Sequence, residues 1–218
     1  MIRSITLGAL IVSAAAWGGA QAAEVRATVR DEQGRAVRNA VVIAVPEAPV
    51  ARPSRPKPDQ IEQIDLEFVP GVKAIQAGTA VSFPNRDKVR HHVYSFSQPK
   101  RFNLTLYAGT PSQPVLFDTP GVVTIGCNIH DWMVGHIYVA ESPYFAATAA
   151  DGTALLAGLP AGRYSVRVWH AQLGSSEEAT RQEAELGAAQ NADFDWRIPL
   201  KPELRVRRAP ASGQRGRY

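Results

Sequence analysis

The sequence predicts an all-β protein of short antiparallel strands, for three reasons. Strand-length segments alternate between apolar and polar residues, as in Phe102–Tyr107. Glycine and proline residues separate these segments at short intervals, where they favour turns. A helical period in the apolar residues is almost absent. Short alternating strands between such turns are typical of an antiparallel β-sandwich.

Residues 1–23 have the features of a signal peptide. Arg3 provides the positive charge, residues 5–16 are apolar, and Ala20-Gln-Ala22 is an A-x-A cleavage signal. The apolar part is too short to span a bilayer comfortably, and no later apolar run reaches that length. We therefore expect a protein that is exported to the periplasm and cleaved near Ala22, without a transmembrane segment.

The first predicted strands lie on either side of a turn. Residues 25–29 alternate between apolar and polar side chains, residues 31–34 form the turn, and residues 40–45 are continuously apolar. The following segment, 46–60, contains five prolines: Pro46, Pro49, Pro53, Pro56 and Pro58. Because proline cannot donate a backbone hydrogen bond to a sheet, this segment is predicted to be an extended linker.

Strand patterns resume after the linker and continue to Ala140. The predicted strands are 64–69, 73–76, 80–83, 91–96, 102–107, 115–117, 122–125 and 136–139. Residues 61–140 are accordingly predicted to form one β-sandwich. Further strands are expected at 154–156, 163–169 and 194–198, while the polar segment 172–191 is consistent with either a short helix or a long hairpin loop.

A possible metal site lies in the connection between strands 122–125 and 136–139. Cys127, His130 and Met133 have the spacing C-x2-H-x2-M. Sulfur ligands beside imidazole suit copper, and two histidines with a cysteine and a weak methionine ligand form the blue-copper arrangement. The loop lacks the second histidine, so an upstream strand must supply it, and His91 and His92 are the candidates. As the single cysteine of the chain, Cys127 cannot form an internal disulfide.

These two segments together resemble the cupredoxins, the small blue copper proteins, and most closely the amicyanin type. In that type an asparagine precedes a histidine ligand by six residues, as Asn85 precedes His91 here. The ligand histidine also begins an H-x-V motif, as His91 does with Val93. The pattern C-x2-H-x2-M-x-G comes much later, as it does here from Cys127 to Gly135. The block containing HHVYSFS and GCNIHDWM also looks like bacterial proteins labelled methylamine utilisation proteins.

The resemblance covers roughly residues 63–140 and implies a cupredoxin Greek-key β-sandwich with one type 1 copper ion. Its spacing selects His91 over His92, although the face of the strand that carries His92 is the more aromatic. Asn85 is then expected to tie the ligand strand to the cysteine loop by hydrogen bonds. The implied metal ligands are His91, Cys127, His130 and Met133.

Other interpretations of these residues remain open at this point. Taken singly, Cys127 could be a buried thiol and Met133 a core side chain. Zinc is the weaker alternative metal because its sites rarely use a thioether. The remaining histidines, His136 and His170, are expected to lie outside the site.

A second resemblance concerns the two ends of the chain. The pattern D-x-x-G-x-x-V-x-x-A-x-V in residues 31–42 resembles the opening of carboxypeptidase-regulatory-like (transthyretin-type) domains. Residues 151–152 and 159–164 resemble the later part of that domain. We therefore predict that residues 24–45 plus 141–200 form a second small β-sandwich, into which the copper domain is inserted or to which it is joined. Two unrelated additions to the edges of the copper domain are the alternative.

The charge of the chain is concentrated at its C-terminus. The net charge is +4, but residues 201–218 contain six lysine and arginine residues against Glu203. Together with the Pro and Gly content, this composition predicts a basic disordered tail. Because no predicted folded element carries a basic stripe, nucleic acid is not expected as a partner.

The resemblance implies a periplasmic electron carrier that exchanges single electrons between redox proteins. A dehydrogenase, by analogy an amine dehydrogenase, would be the donor, and a cytochrome the acceptor. The additional β-unit supports an alternative, a copper-binding scaffold or storage and assembly module. An enzyme is not predicted, because copper enzymes need further histidines in H-x-H pairs, and this chain has five histidines and no H-x-H.

Overall fold

The computed structural model describes residues 22–49, 56–111 and 113–203. These residues form seventeen β-strands and one 3₁₀ helix, Glu178–Thr180, so the predicted all-β class is confirmed. None of the described helices is long and apolar enough to cross a membrane. The strands are β1 (Ala23–Asp31), β2 (Val41–Pro46), β3 (Asp59–Gln60), β4 (Glu62–Ile64), β5 (Glu67–Val69), β6 (Val72–Gln76), β7 (Thr79–Ser82), β8 (His91–Ser95), β9 (Phe102–Tyr107), β10 (Val115–Phe117), β11 (Gly121–Gly126), β12 (Val134–Ala140), β13 (Tyr144–Ala147), β14 (Thr153–Leu159), β15 (Gly162–Trp169), β16 (Gln182–Leu186) and β17 (Ala192–Ile198).

The strands from the two ends of the chain pair with one another. One sheet has the order β14-β1-β17, and a second has the order β13-β2-β15-β16. Both sheets contribute to one hydrophobic core, to which Val29, Val42 and Trp196 belong. The apolar residues of β1 and β17 alternate with exposed ones, because every second side chain of a strand faces the core.

The middle of the chain forms a separate group of strands with its own core. A five-stranded sheet has the order β6-β12-β11-β8-β9, a three-stranded sheet has the order β10-β7-β3, and β4 and β5 form a hairpin. Their shared core contains Phe83, Phe117 and Ile137, together with Cys127 and Met133. The two sulfur-containing residues of the predicted metal loop therefore lie at the edge of the same packed interior.

Some elements differ from the sequence-based expectation. The predicted strand 64–69 is instead the β4–β5 hairpin, because Asp65 and Leu66 adopt positive φ angles of 54° and 62° and reverse the chain. The predicted linker ends in β3, which pairs in parallel with β7. In segment 172–191 the chain forms the 3₁₀ helix and β16, and β13 is an additional strand without a predicted counterpart. These short strands depend on their partners, which a local pattern does not contain.

The predicted signal peptide and basic tail lie largely outside the described residues, which exclude 1–21 and 204–218. Ala23, the last residue of the predicted signal peptide, is among the described residues. Ala23 is the first residue of β1, is fully buried and lies opposite Leu159. Its small apolar side chain continues the alternation of buried and more exposed residues in β1 to the N-terminal end of the strand.

Two strands join the two cores because both of their faces are buried. In β2, Val42 and Ala44 face the core of the terminal strands, while Val41 and Ile43 pack in a third cluster with Tyr138 of β12. In β12, Ile137 and Val139 face the core of the middle strands, while Tyr138 and Ala140 face this junction. This explains why 40–45 reads as a continuous apolar run instead of an alternating one.

A polar network closes one side of the junction. The hydroxyl of Tyr138 donates to Glu177, and the guanidinium of Arg167 binds Glu177 at 2.7 Å and also Glu141. Burial and the neighbouring negative charge of Glu177 raise the pKa of Tyr138 well above its ordinary value. The hydroxyl therefore remains a donor, and the two groups of strands are held by polar as well as apolar contacts.

The Tyr138→Phe variant tests this network. Loss of the hydroxyl removes a partly buried hydrogen bond to a carboxylate, so we expect the free energy of unfolding in urea to fall by about 2 kcal/mol. Tyr144→Phe is the control, because the Tyr144 hydroxyl has no hydrogen-bond partner among the residues that the structure describes. Equal losses in the two variants would contradict the assigned role of Tyr138.

Candidate metal centre

The strand order brings the predicted ligand segments to one end of the five-stranded sheet. β11 and β12 are antiparallel neighbours whose ladder ends at Gly126 and Val134. Residues 127–133 are therefore the short connection between them. β8 runs antiparallel to β11 on the other side, with Tyr94 opposite Gly126. His91, at the beginning of β8, consequently lies beside the loop that begins with Cys127.

Three potential donor atoms meet at this end of the sheet. The Sγ atom of Cys127 lies 3.9 Å from Nδ1 of His91 and 3.8 Å from Nδ1 of His130. The donor atoms of these three residues all lie within 4.8 Å of one another. Sulfur and nitrogen atoms bound to one ion at about 2.0–2.3 Å are separated by about 3–4 Å. The three side chains are thus spaced as ligands of a single metal ion.

Met133 belongs to the same loop, and backbone hydrogen bonds close that loop. The N–H of Met133 donates to the carbonyl of His130 at 2.9 Å, and the N–H of Cys127 donates to the carbonyl of Met133 at 3.2 Å. The Met133 side chain is buried in the core that also contains Cys127. The C-x2-H-x2-M spacing therefore corresponds to a compact loop whose two ends are hydrogen-bonded to each other.

The site is enclosed on one side and reaches the surface on the other. His91 and Cys127 are buried, whereas His130 is half-buried. The ring of Trp132 lies 5.3 Å from that of His130, between centroids, and the adjacent Ile129 is 47% exposed. Of the three donors, His130 is therefore the one nearest to solvent.

Asn85 does not have the role expected of it. Its amide donates to the carbonyls of Val89 and Tyr107, and its Oδ1 accepts from the N–H of Asp87. None of these bonds reaches the Cys127 loop, so the expected tie is wrong. Asn85 instead supports the loop that precedes His91, because its amide bonds to Val89 and Asp87 within that loop and to Tyr107 at the end of β9.

Asp87 is a residue of the site that the motif comparison did not identify. Its Oδ2 lies 2.8 Å from Nε2 of His91, the ring nitrogen that faces away from Cys127. Although burial raises the pKa of the Asp87 carboxyl, hydrogen bonds from Leu66, His91 and Asp65 lower it below its ordinary value. The D-x-x-x-H spacing in the sequence is the only local signal of this contact.

The other histidines lie elsewhere. His92 points to the opposite face of β8, where it contacts Asn103 and the ring of Tyr94. His136 contacts Thr124, and the described part of the chain contains no metal-binding group of His, Cys, Asp or Glu that includes His92, His136 or His170.

Comparison with known proteins finds similar solved structures, each at low similarity. No protein-family model matches the chain, and no curated protein matches it. Similar solved structures include a copper-containing nitrite reductase from Thermus scotoductus, with 28% identity over 45% of this chain and a TM-score of 0.38. The chain spans 26% of the length of that enzyme. A purple cupredoxin from Nitrosopumilus maritimus has 26% identity over 37% of this chain and 98% of its own, with a TM-score of 0.34. A variant of amicyanin has 15% identity over 37% of this chain and 80% of its own, also with a TM-score of 0.34.

The Asn85→Ala variant tests the support of the loop before His91. Removing the amide leaves partly buried backbone groups without their side-chain partner, so we expect the metal-free protein to lose about 2 kcal/mol of unfolding free energy. Asn103→Ala is the control, because Asn103 is exposed and its loss should change stability by only about 0.5 kcal/mol. Urea unfolding of both variants measures the difference, and a loss no larger than that of the control would refute the role of Asn85.

Proposed function

We propose that this chain is a type 1 copper protein that transfers single electrons between redox partners. His91, Cys127, His130 and Met133 are the proposed ligands. The observation that carries the proposal is the position of the Cys127 Sγ atom, 3.9 Å and 3.8 Å from the Nδ1 atoms of the two histidines. The buried thioether of Met133 in the same loop supports it.

The chemistry of the donor set fits copper better than zinc. Zinc binds cysteine and histidine but rarely a thioether, whereas the softer donors of this loop match copper. A bound copper ion would supply one-electron chemistry by alternating between its two oxidation states. The chain contributes a preformed arrangement of donors, since the loop ends are hydrogen-bonded and the flanking strands are paired.

The exposure of the donors indicates where a partner protein would come closest. His91 is buried inside the sheet end, while the half-buried His130 lies beside the exposed Ile129. We therefore propose that redox partners bind over His130. By the resemblance noted above, the proposed donor is a dehydrogenase of the amine-oxidising kind and the proposed acceptor a cytochrome. The signal-peptide pattern of residues 1–23 supports a periplasmic location.

We also propose that the terminal strands are a carboxypeptidase-regulatory-like domain into which the copper domain is inserted. The pairing of β1 with β14 and β17, and of β2 with β13 and β15, supports this assignment. The proposed boundaries are 24–45 plus 141–200 for the host unit, and 61–140 for the copper unit.

The shared junction favours a second candidate function, a copper-binding scaffold or assembly module. Val41 and Ile43 of the terminal unit pack against Tyr138, so the copper unit is fixed to a second unit that could bind a larger complex. The rate of electron self-exchange distinguishes the two functions. A carrier exchanges electrons rapidly, whereas a storage or assembly module holds copper that exchanges slowly or is released.

The proposed function predicts a thiolate-to-copper absorption band in the red part of the visible spectrum. Wild-type protein with one equivalent of Cu(II) should show this band, and Cys127→Ser should abolish it because the thiolate is its origin.

His91→Ala should disrupt the spectrum, whereas the matched variant His92→Ala should preserve it. A colourless wild-type complex would refute the copper assignment, and the reverse behaviour of the two histidine variants would reassign the ligand.

Substitutions of Met133 test its role as a weak ligand. Met133→Leu should retain the colour and raise the reduction potential, because a donor to Cu(II) is lost. Met133→Gln should lower the potential, because an amide oxygen is a harder donor that favours Cu(II). The Leu variant roughly conserves volume, so packing should cost under about 1.5 kcal/mol. Voltammetry measures the reduction potentials of both variants. If neither potential differs from that of the wild type, Met133 is not a ligand.

A further inference from the structure

A hydrogen bond to Asp87 fixes the orientation of the His91 ring. Oδ2 of Asp87 lies 2.8 Å from Nε2 of His91. Because an ionised carboxylate only accepts hydrogen bonds, the ring hydrogen of neutral His91 must be on Nε2. Nδ1 is then unprotonated, and this is the atom that faces the Sγ of Cys127. Asp87 therefore selects the tautomer that a metal ligand at Nδ1 requires.

The carboxylate of Asp87 is itself held by the turn of the β4–β5 hairpin. Its Oδ1 accepts from the N–H of Asp65 at 2.8 Å, and its Oδ2 accepts from the N–H of Leu66 at 3.0 Å. Both turn residues have positive φ angles, which two-residue hairpin turns usually assign to asparagine and glycine. A leucine in this conformation needs compensation from its surroundings, and the two hydrogen bonds to Asp87 provide it.

The same turn contacts the ligand loop on its other side. The carbonyl of Leu66 accepts from Nε1 of Trp132 at 3.2 Å, and the ring of Trp132 packs against that of His130. Phe68 of β5 lies close to the backbone of Gly135, where β12 leaves the loop. The hairpin therefore lies between the segment that ends at His91 and the loop that carries His130.

We propose that Asp87 is a positioning residue for the metal site, acting through what we call the polar connection: Asp87, Asp65, Leu66 and Trp132. It orients His91 towards the ligand position and couples that orientation to the Cys127 loop. The effect of Asp87 on the reduction potential rests on the proposed copper function. Its effect on the tautomer of His91 does not depend on copper.

The electronic consequence follows from charge. A carboxylate that accepts the ring hydrogen makes the imidazole of His91 a stronger donor. The negative charge of Asp87 also favours the more highly charged copper state. Loss of this carboxylate should therefore weaken Cu(II) binding more than Cu(I) binding and raise the reduction potential.

The Asp87→Asn variant tests this prediction. Its amide has the same shape but one accepting oxygen in place of two, so it cannot accept from all three N–H groups. We expect Cu(II) affinity to fall by about 10- to 100-fold, as is typical for groups that support a ligand. A tenfold larger loss for Cu(II) than for Cu(I) corresponds to a rise in potential of about 59 mV.

Glu62→Gln is the matched control for Asp87→Asn. It removes a negative charge from the same hairpin, but Glu62 binds the guanidinium of Arg86 at 2.9 Å and not a proposed ligand. We expect its copper affinity, visible spectrum and potential to match those of the wild type. Equal shifts in the two variants would show an effect of charge alone and would overturn a positioning role for Asp87.

Trp132→Phe removes the hydrogen bond from Trp132 to the Leu66 carbonyl, at the other end of the polar connection, and keeps an aromatic ring beside His130. If the connection is one unit, this change should weaken Cu(II) binding in the wild type and have a clearly smaller effect in the Asp87→Asn background. The same fold-change in both backgrounds would overturn the coupling between Asp87 and the ligand loop.

A nitrogen-15 NMR spectrum of the metal-free wild type completes the test without copper. At a pH at which the ring is neutral, His91 should be in the Nε2–H form, and Asp87→Asn should populate the Nδ1–H form. A wild-type ring in the Nδ1–H form would overturn the proposal even if copper binds. An Nε2–H ring in a protein that gives no copper band would uphold the orientation by Asp87 and refute the proposed copper function instead.

Discussion

The antiparallel register of β8, β11 and β12 is the constraint on which the candidate site depends. It places the beginning of β8, the end of β11 and the beginning of β12 at one end of the same sheet. His91 and Cys127, far apart in the chain, come within 3.9 Å as a result. Because side chains alternate between the two faces of a strand, a slip of one residue in β8 would turn His91 away and present His92 instead.

The strand register alone does not hold the donors, because the segment before His91 is a loop that has only isolated β-bridges, from Asn85 to Gln63 and Gly109. Buried backbone groups in such a loop need hydrogen bonds from side chains. Asn85 provides them within the loop and also bonds to Tyr107 of β9, while Asp87 accepts hydrogen bonds from the turn residues Asp65 and Leu66. The geometry of the candidate ligands thus depends on short polar side chains that are not candidate ligands themselves.

The second group of strands also bears on the site, through β12. This strand leaves the ligand loop at Val134, and its residues alternate between the core of the middle strands and the junction with β2. Packing on both faces restricts the movement of β12 relative to its neighbours. The unit formed by the chain ends therefore supports the end of the ligand loop, although none of its described His, Cys, Asp or Glu residues belongs to the three-donor group.

The all-β class and the positions of most strands are predictable from the sequence, because alternation and turn residues are local properties. The C-x2-H-x2-M spacing likewise lies within one loop. Three features are visible only in the folded chain: the apparent strand 64–69 is a hairpin, Asn85 supports its own loop, and Asp87 bonds to His91. Each of these outcomes depends on partners that are distant in sequence or on side-chain direction within a loop. Neither has a periodic signature, so the alternation of apolar and polar residues does not reveal it.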